Sequence, residues 1–208
     1  MDGRLSTGVD VLDRELGGGI PTGSVVAFNA PPASQAELLL YELTVPRQTL
    51  YLTTDRTEDA VRDAFNATRA PTGEPEIMYA AGDDPLDNAR RAFRAAPEEA
   101  TVIIDPNDAL ERTDRSRYEA FLNELSNHMQ NTQSVAFLHC LTGEYTPALR
   151  DTTKHMADVI FDLSLTVTSS NVETRLTVPK LRGGRALVEP IKLDLQERVR
   201  VDTSRDIA

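Results

Sequence analysis

Making or breaking covalent bonds requires nucleophiles, acids, bases or metal ligands in fixed groupings, and this sequence holds few of them. The one cysteine, Cys140, closes the apolar run SVAFLHC at 134–140 and reads as a buried strand thiol, the alternative being a catalytic one. His128, His139 and His155 lie too far apart, in sequence and in pattern, to mark a metal site. No C-x-x-C, H-E-x-x-H or nucleophile-elbow motif occurs. What remains is a set of charged residues at the ends of apolar runs. Asp105 follows Thr101-Val102-Ile103-Ile104 and precedes Pro106 and Asn107, a combination that also makes a good strand-ending turn. Asp55 and Arg56 fall in TTDRTED at 53–59, where Asp55 or Thr57 can cap the next helix. Lys180 and Arg182, two apart, emerge on one face of a strand, where charge discourages edge pairing.

Such residues act only through the elements that hold them. Short runs rich in β-branched residues predict buried strands at 25–28, 49–53, 76–80, 101–104 and 134–139. Helices are predicted between them at 35–43, 58–68, 86–96 and 115–130. The third is opened by Asp84 and Pro85, and the last shows Tyr118, Phe121, Leu122, Leu125 and Met129 at helical spacing. Strand and helix in alternation imply an α/β fold, a mainly parallel twisted sheet flanked by helices. After His155 the pattern changes to three β-rich runs, 158–168, 172–180 and 188–195. Turns at Ser169, Ser170 and Asn171 and at Gly183 and Gly184 make these an antiparallel extension on one edge. With no repeat and no linker, residues 1–201 read as one domain and 202–208 as a frayed polar tail.

Two long stretches carry a family resemblance. LSTGVDVLDRELGGGIPTGSVVAFNAPP, residues 5–32, closely resembles the opening of RecA/RadA/KaiC-family ATPases, where a short helix and a glycine-rich turn lead into the first core strand and the P-loop. HMADVIFDLSLTV at 155–167, followed by LTVPKLRGGRALVEPIKLDL at 176–195, resembles the C-terminal β-region of KaiC-like proteins. The order and spacing of both agree, so the resemblance covers nearly the whole chain and implies a RecA-like P-loop NTPase fold.

The resemblance breaks at the phosphate loop. The working pattern, G-x-x-x-x-G-K-S/T, cradles phosphates with backbone N–H groups, reaches them with the lysine and holds magnesium with the hydroxyl. Here the aligned residues are Ala30, Pro31, Pro32, Ala33, Ser34, Gln35, Ala36 and Glu37, a degenerate Walker A motif. Alanine and glutamine are expected to resist the positive φ angles of a phosphate nest. Loss of the lysine removes charge-assisted hydrogen bonds of about 1.5–3 kcal/mol each. Glu37 adds repulsion of about 4 kcal/mol for charges 4 Å apart at an effective dielectric near 20. The resemblance further implies that Asp105 stands at the Walker B position and that Asp55 falls where relatives carry a water-activating glutamate pair. Arg56, in the second place of that pair, cannot be a base. Lys180 and Arg182 match a K-x-R pair that in KaiC-like hexamers reaches a neighbouring subunit's phosphate site. In this chain they could instead meet a carboxylate such as Glu37 of an adjacent subunit.

Composition narrows the function classes. Acidic residues outnumber basic ones, 33 to 22, and only Lys154, Lys180 and Lys192 are lysine. This resembles proteins of salt-accumulating archaea, the alternative being an ordinary acidic cytosolic protein. Binding along a nucleic-acid backbone needs clustered cations and is disfavoured. No apolar run approaches the roughly 18 residues of a membrane span, and no leader pattern occurs, so a cytoplasmic protein is expected. The favoured expectation is a non-catalytic RecA/KaiC-like protein, not an enzyme, that binds a protein partner or itself through a RecA/KaiC-like interface. No cofactor or metal is expected, with Mg-ATP held weakly if at all. Two alternatives stay open: a slow ATPase using Asp55 and Asp105, and a recombinase-paralogue-like DNA-associated protein.

Overall fold

Valine, isoleucine and aromatic residues in unbroken runs favour strands covered on both faces, and those runs meet in one sheet in the computed structural model, which describes residues 3–168, 172–187, 189–195 and 199–201. A short antiparallel pair, β1 (Arg4–Leu5) and β2 (Ile20–Pro21), brackets α1 (Asp10–Glu15). Then come β3 (Val25–Ala30), α2 (Glu37–Glu42), β4 (Thr49–Thr53), α3 (Glu58–Ala67), β5 (Glu76–Tyr79), α4 (Pro85–Phe93) and β6 (Thr101–Asp105). A 3-10 turn at Asn107–Ala109 precedes α5 (Arg115–Thr132), β7 (Val135–Leu141), α6 (Arg150–Met156), β8 (Val159–Val167), β9 (Val172–Leu181), β10 (Ile191–Leu195) and β11 (Val199–Val201).

The sheet has nine strands in the order β11-β10-β9-β8-β3-β7-β6-β4-β5. The strands from β3 to β8 run parallel and β9 to β11 antiparallel, so the expected extension occupies one edge. The sequence reading did not include β1, β2, α6 or β11. The turn expected at Ser169, Ser170 and Asn171, the start of the run at Val188 and the tail 202–208 lie outside the described residues. Gly183, at φ 75°, does turn the chain after β9.

Local signals explain where the helices begin. Thr57, Asp84 and Asp114 accept hydrogen bonds from the first free N–H groups of α3, α4 and α5. The two faces of the sheet carry separate cores. One contains Phe28, Leu39, Tyr51, Phe137 and Phe161 beneath α2, and the other Leu52, Phe93, Ile104, Tyr118 and Phe121 beneath α4 and α5. Gly19, in the glycine-rich turn, sits at φ 112°, and a Cβ there would lie 2.3 Å from the Leu5 carbonyl, so only glycine lets the N-terminal strap close.

This topology creates a crevice. From β3 the chain crosses past β7 and β6 to β4, whereas from β7 it crosses the other way, past β3, to β8. Ligands in open α/β sheets bind where such connections diverge, outside the carboxyl ends of the strands. Those ends carry Ala30, Thr53, Asp105 and Leu141.

Candidate functional site

β3 delivers the buried Ala30 into a tight turn, in which the Ser34 amide and hydroxyl both donate to the Pro31 carbonyl (3.1 and 2.6 Å). Gln35 adopts φ 53°. The expectation that glutamine would refuse a positive φ is therefore corrected: the strand and helix it joins impose the conformation, against a cost of about 1–2 kcal/mol. Pro32, Ala33 and Gln35 are exposed. Ala36, which the resemblance sets at the lysine position, is 3 % exposed, with its methyl group in the core under α2. Glu37, half-buried, opens α2.

Beside this turn, Asp105 is sealed by its neighbours. Tyr51 donates to its Oδ2, Arg56 Nη2 donates to the same oxygen (3.2 Å), and His139 Nδ1 lies 2.6 Å from Oδ1. An ionised carboxylate only accepts, so Nδ1 carries a proton. Burial alone would raise the Asp105 pKa, but the bonds from His139 and Tyr51 and the charge of Arg56 outweigh it and hold the group below the usual carboxylate range. Burial, then the Asp105 charge, pushes the Tyr51 hydroxyl well up, so it remains a donor. Arg56 is fixed through its backbone, because its amide donates to Thr53 Oγ1 (3.2 Å) and its carbonyl accepts from that hydroxyl (2.8 Å). His139 stacks on Phe28 with ring centroids 5.5 Å apart, and its Nε2 is buried with no hydrogen-bond partner among the described residues.

A second polar cluster was not foreseen from sequence. Arg150 is buried, with Nε 3.0 and 2.9 Å from the two Glu111 carboxylate oxygens, Nη2 2.8 Å from Asp108 Oδ2 and Nη1 2.6 Å from the Leu141 carbonyl. The Leu141 amide donates to Asp108 Oδ1 (3.0 Å), and Thr153 donates to Glu111. Burial opposes the Arg150 charge, yet Glu111 and Asp108 outweigh it and raise its pKa. Asp108 and Glu111 are neighbours in sequence, but Arg150 lies 42 and 39 residues beyond them, so no local spacing links it to them. Only the packing of α6 on the end of β7 joins them. Cys140, next to this cluster, is fully buried in β7, where burial pushes its thiol well up and keeps it protonated.

Asp108 and Leu141 of the second cluster help to line a cleft of about 300 Å³, with Pro32, Asp55, Arg112, Glu144, Tyr145, Ala109 and Gly143. Pro32 and Asp55 thus meet at one crevice, which Asp105 does not line. Lys180 and Arg182 do not join them. The register Lys180 to Ile160, Leu181 to Val159 and Val159 to Val26 puts them near the start of β3, about 13 Å of strand away from Ala30 at 3.3 Å per residue. Lys180 donates to the Lys154 and His155 carbonyls at the end of α6 (3.1 and 2.8 Å), and Arg182 Nη1 pairs with Asp158 Oδ1 at 2.8 Å. Among the described residues no group of three or more His, Cys, Asp or Glu could hold a metal, and no helix is long and apolar enough to cross a membrane.

The sequence matches the model of a family of unknown function, DUF7125, over residues 4–208. No curated protein matches it. Among solved structures, the KaiC-like protein PH0186 from the hyperthermophilic archaeon Pyrococcus horikoshii OT3 is similar with a TM-score of 0.75 at 12% identity, over 97% of this chain and 100% of that one. At that identity the likeness shows the fold: a KaiC-like α/β fold with a large, mostly parallel sheet.

Proposed function

Because the chain belongs to DUF7125, a family of unknown function, and has a KaiC-like fold, we propose that it is a pseudo-ATPase, a non-catalytic member of that fold which acts as a regulatory or scaffolding protein-interaction module. The observation that carries this reading is the state of Asp105. The carboxylate that would face a magnesium ion in a working site is saturated by Tyr51, His139 and Arg56 of its own chain. A guanidinium already balances the charge that a divalent cation would balance. The rest of the loop agrees, since Ala36 offers no cation, Glu37 replaces the magnesium hydroxyl with an anion, and Arg56 cannot activate water. Mg-ATP therefore does not fit the residues present.

Two further elements belong to the proposal. Three lysines against 33 acids support work in concentrated salt. Arg182, 61 % exposed at its side chain although paired with Asp158, stays available with Lys180 for a contact between subunits. Calorimetric titration of Mg-ATP into the protein in concentrated KCl, with light scattering on the same sample, tests the reading. No saturable heat is expected. Micromolar binding that is lost when Ala36 or Glu37 is replaced by a bulky side chain defeats it.

A further inference from the structure

The large apolar side chains left exposed are not scattered. Of the six exposed among the described residues, Met78, Tyr79, Tyr145, Val167 and Val172 all lie toward the carboxyl end of the parallel strands, and only Val45 lies at the other end. Tyr145 is 87 % exposed and lines the cleft itself. Val167 and Val172 face each other across β8 and β9, in the part of that ribbon which runs on past Asp162, where pairing with β3 stops. Exposed apolar residues concentrated at one end of the sheet, the end that carries the cleft, favour an interaction surface there.

The charge at this face selects the partner. Asp55 and Glu144 line the cleft, are exposed, and among the described residues pair with no cation. Behind them Arg150 is shared between Asp108 and Glu111, so the cleft and its wall hold four carboxylates against the guanidiniums of Arg150 and Arg112. Carboxylates beside an exposed phenol ring are what a guanidinium or ammonium group seeks, through charge and through the face of the ring. The crevice has thus inverted the sign of the ligand expected from its fold.

Resting on the pseudo-ATPase reading, we infer that this end of the sheet is a docking surface for a basic, apolar-bearing segment of a partner protein, with one cationic side chain seated in the cleft beside Tyr145. The edge of β5 does not recruit it by strand addition, because the outward Tyr79 amide is already taken by Glu58 (2.9 Å). Recognition falls to side chains. From β8 to β5 there are five strand spacings, about 24 Å at 4.8 Å each, which a helix of about 16 residues crosses.

The test uses the full chain and a fluorescein-labelled amphipathic peptide of about 18 residues built from Leu, Ala, Lys and Arg. One control peptide has Lys and Arg replaced by Gln, and a second keeps the composition in scrambled order. Anisotropy should show saturable binding of the amphipathic basic peptide, with both controls weaker by about tenfold or more. Asp55→Asn, Glu144→Gln and Tyr145→Ala combined, all exposed positions, should weaken binding by about tenfold with an unchanged circular dichroism spectrum. Val45→Ser, at the opposite end, should leave it unaltered. Equal binding to the scrambled peptide or to the triple variant, or no binding by the unmodified protein, overturns the inference. Mg-ATP titrated into the same samples separates the two proposals. Tight Mg-ATP binding that displaces the peptide sinks the pseudo-ATPase reading, whereas absence of both ligands sinks only the docking surface.

Discussion

Position 56 shows how one side chain can occupy a buried carboxylate. In TTDRTED the arginine looks like a simple loss of a catalytic acid, but in three dimensions its guanidinium reaches Asp105. The sequence marked Asp105 and Asp55 by their places after strands. It gave no sign that Tyr51 and His139 would share Asp105, because those partners come from different strands. Asp105→Asn is expected to lower stability by about 1–3 kcal/mol at neutral pH, the cost of losing charge-assisted hydrogen bonds to a buried carboxylate. The folded pKa of Asp105 lies below its unfolded value. Its contribution is therefore complete above the unfolded value, about 3.9, and is lost as pH falls through the folded one. Urea unfolding curves of the two proteins should accordingly converge as pH drops below about 4. A gap that stays constant into strong acid contradicts this account.

Elements explain the shape of the turn after β3. The turn at 31–36 persists because β3 and α2 hold its ends, and Gln35 bears the strained backbone. Gln35→Gly is expected to raise stability by about 1 kcal/mol in thermal or urea unfolding, since glycine meets φ 53° without the Cβ conflict. It should confer no Mg-ATP binding, because conformation is not what the loop lacks. At the end of β7, Arg150 ties α6 to Asp108, Glu111 and the Leu141 carbonyl. Arg150→Met should cost about 3–5 kcal/mol by leaving two buried carboxylates without a counter-charge. Removing those carboxylates as well, with Asp108→Asn and Glu111→Leu, should recover much of the loss. If the triple variant is no more stable than Arg150→Met, the penalty does not come from uncompensated charge.

At the scale of the whole molecule, placement separates what the resemblance grouped together. Lys180 and Arg182 sit at the opposite end of the sheet from the loop and serve their own chain, on α6 and Asp158. Any contact they make with a phosphate-loop position must reach a different copy. The net charge of −11 sets the second large-scale property. Repulsion among the carboxylates destabilises the folded state until salt screens it, the Debye length falling from about 10 Å at 0.1 M to about 3 Å at 1 M. The melting temperature should therefore climb with KCl over this range. A melting temperature that falls as KCl is added argues against net repulsion as the controlling effect.

The sequence by itself determined the alternation of β3 to β7 with α2 to α5 and the antiparallel edge, because periodicity and turn residues are local properties. It placed α5 at 115–130, where the helix runs Arg115–Thr132, for the same reason. The tertiary structure alone decided that Arg56, Tyr51 and His139 would surround Asp105, that Arg150 would bind Asp108 and Glu111, and that most exposed apolar residues would lie at one end of the sheet. Those facts depend on which strand ends become neighbours. Crossover connections set that across long stretches of chain, and no spacing along the sequence encodes it.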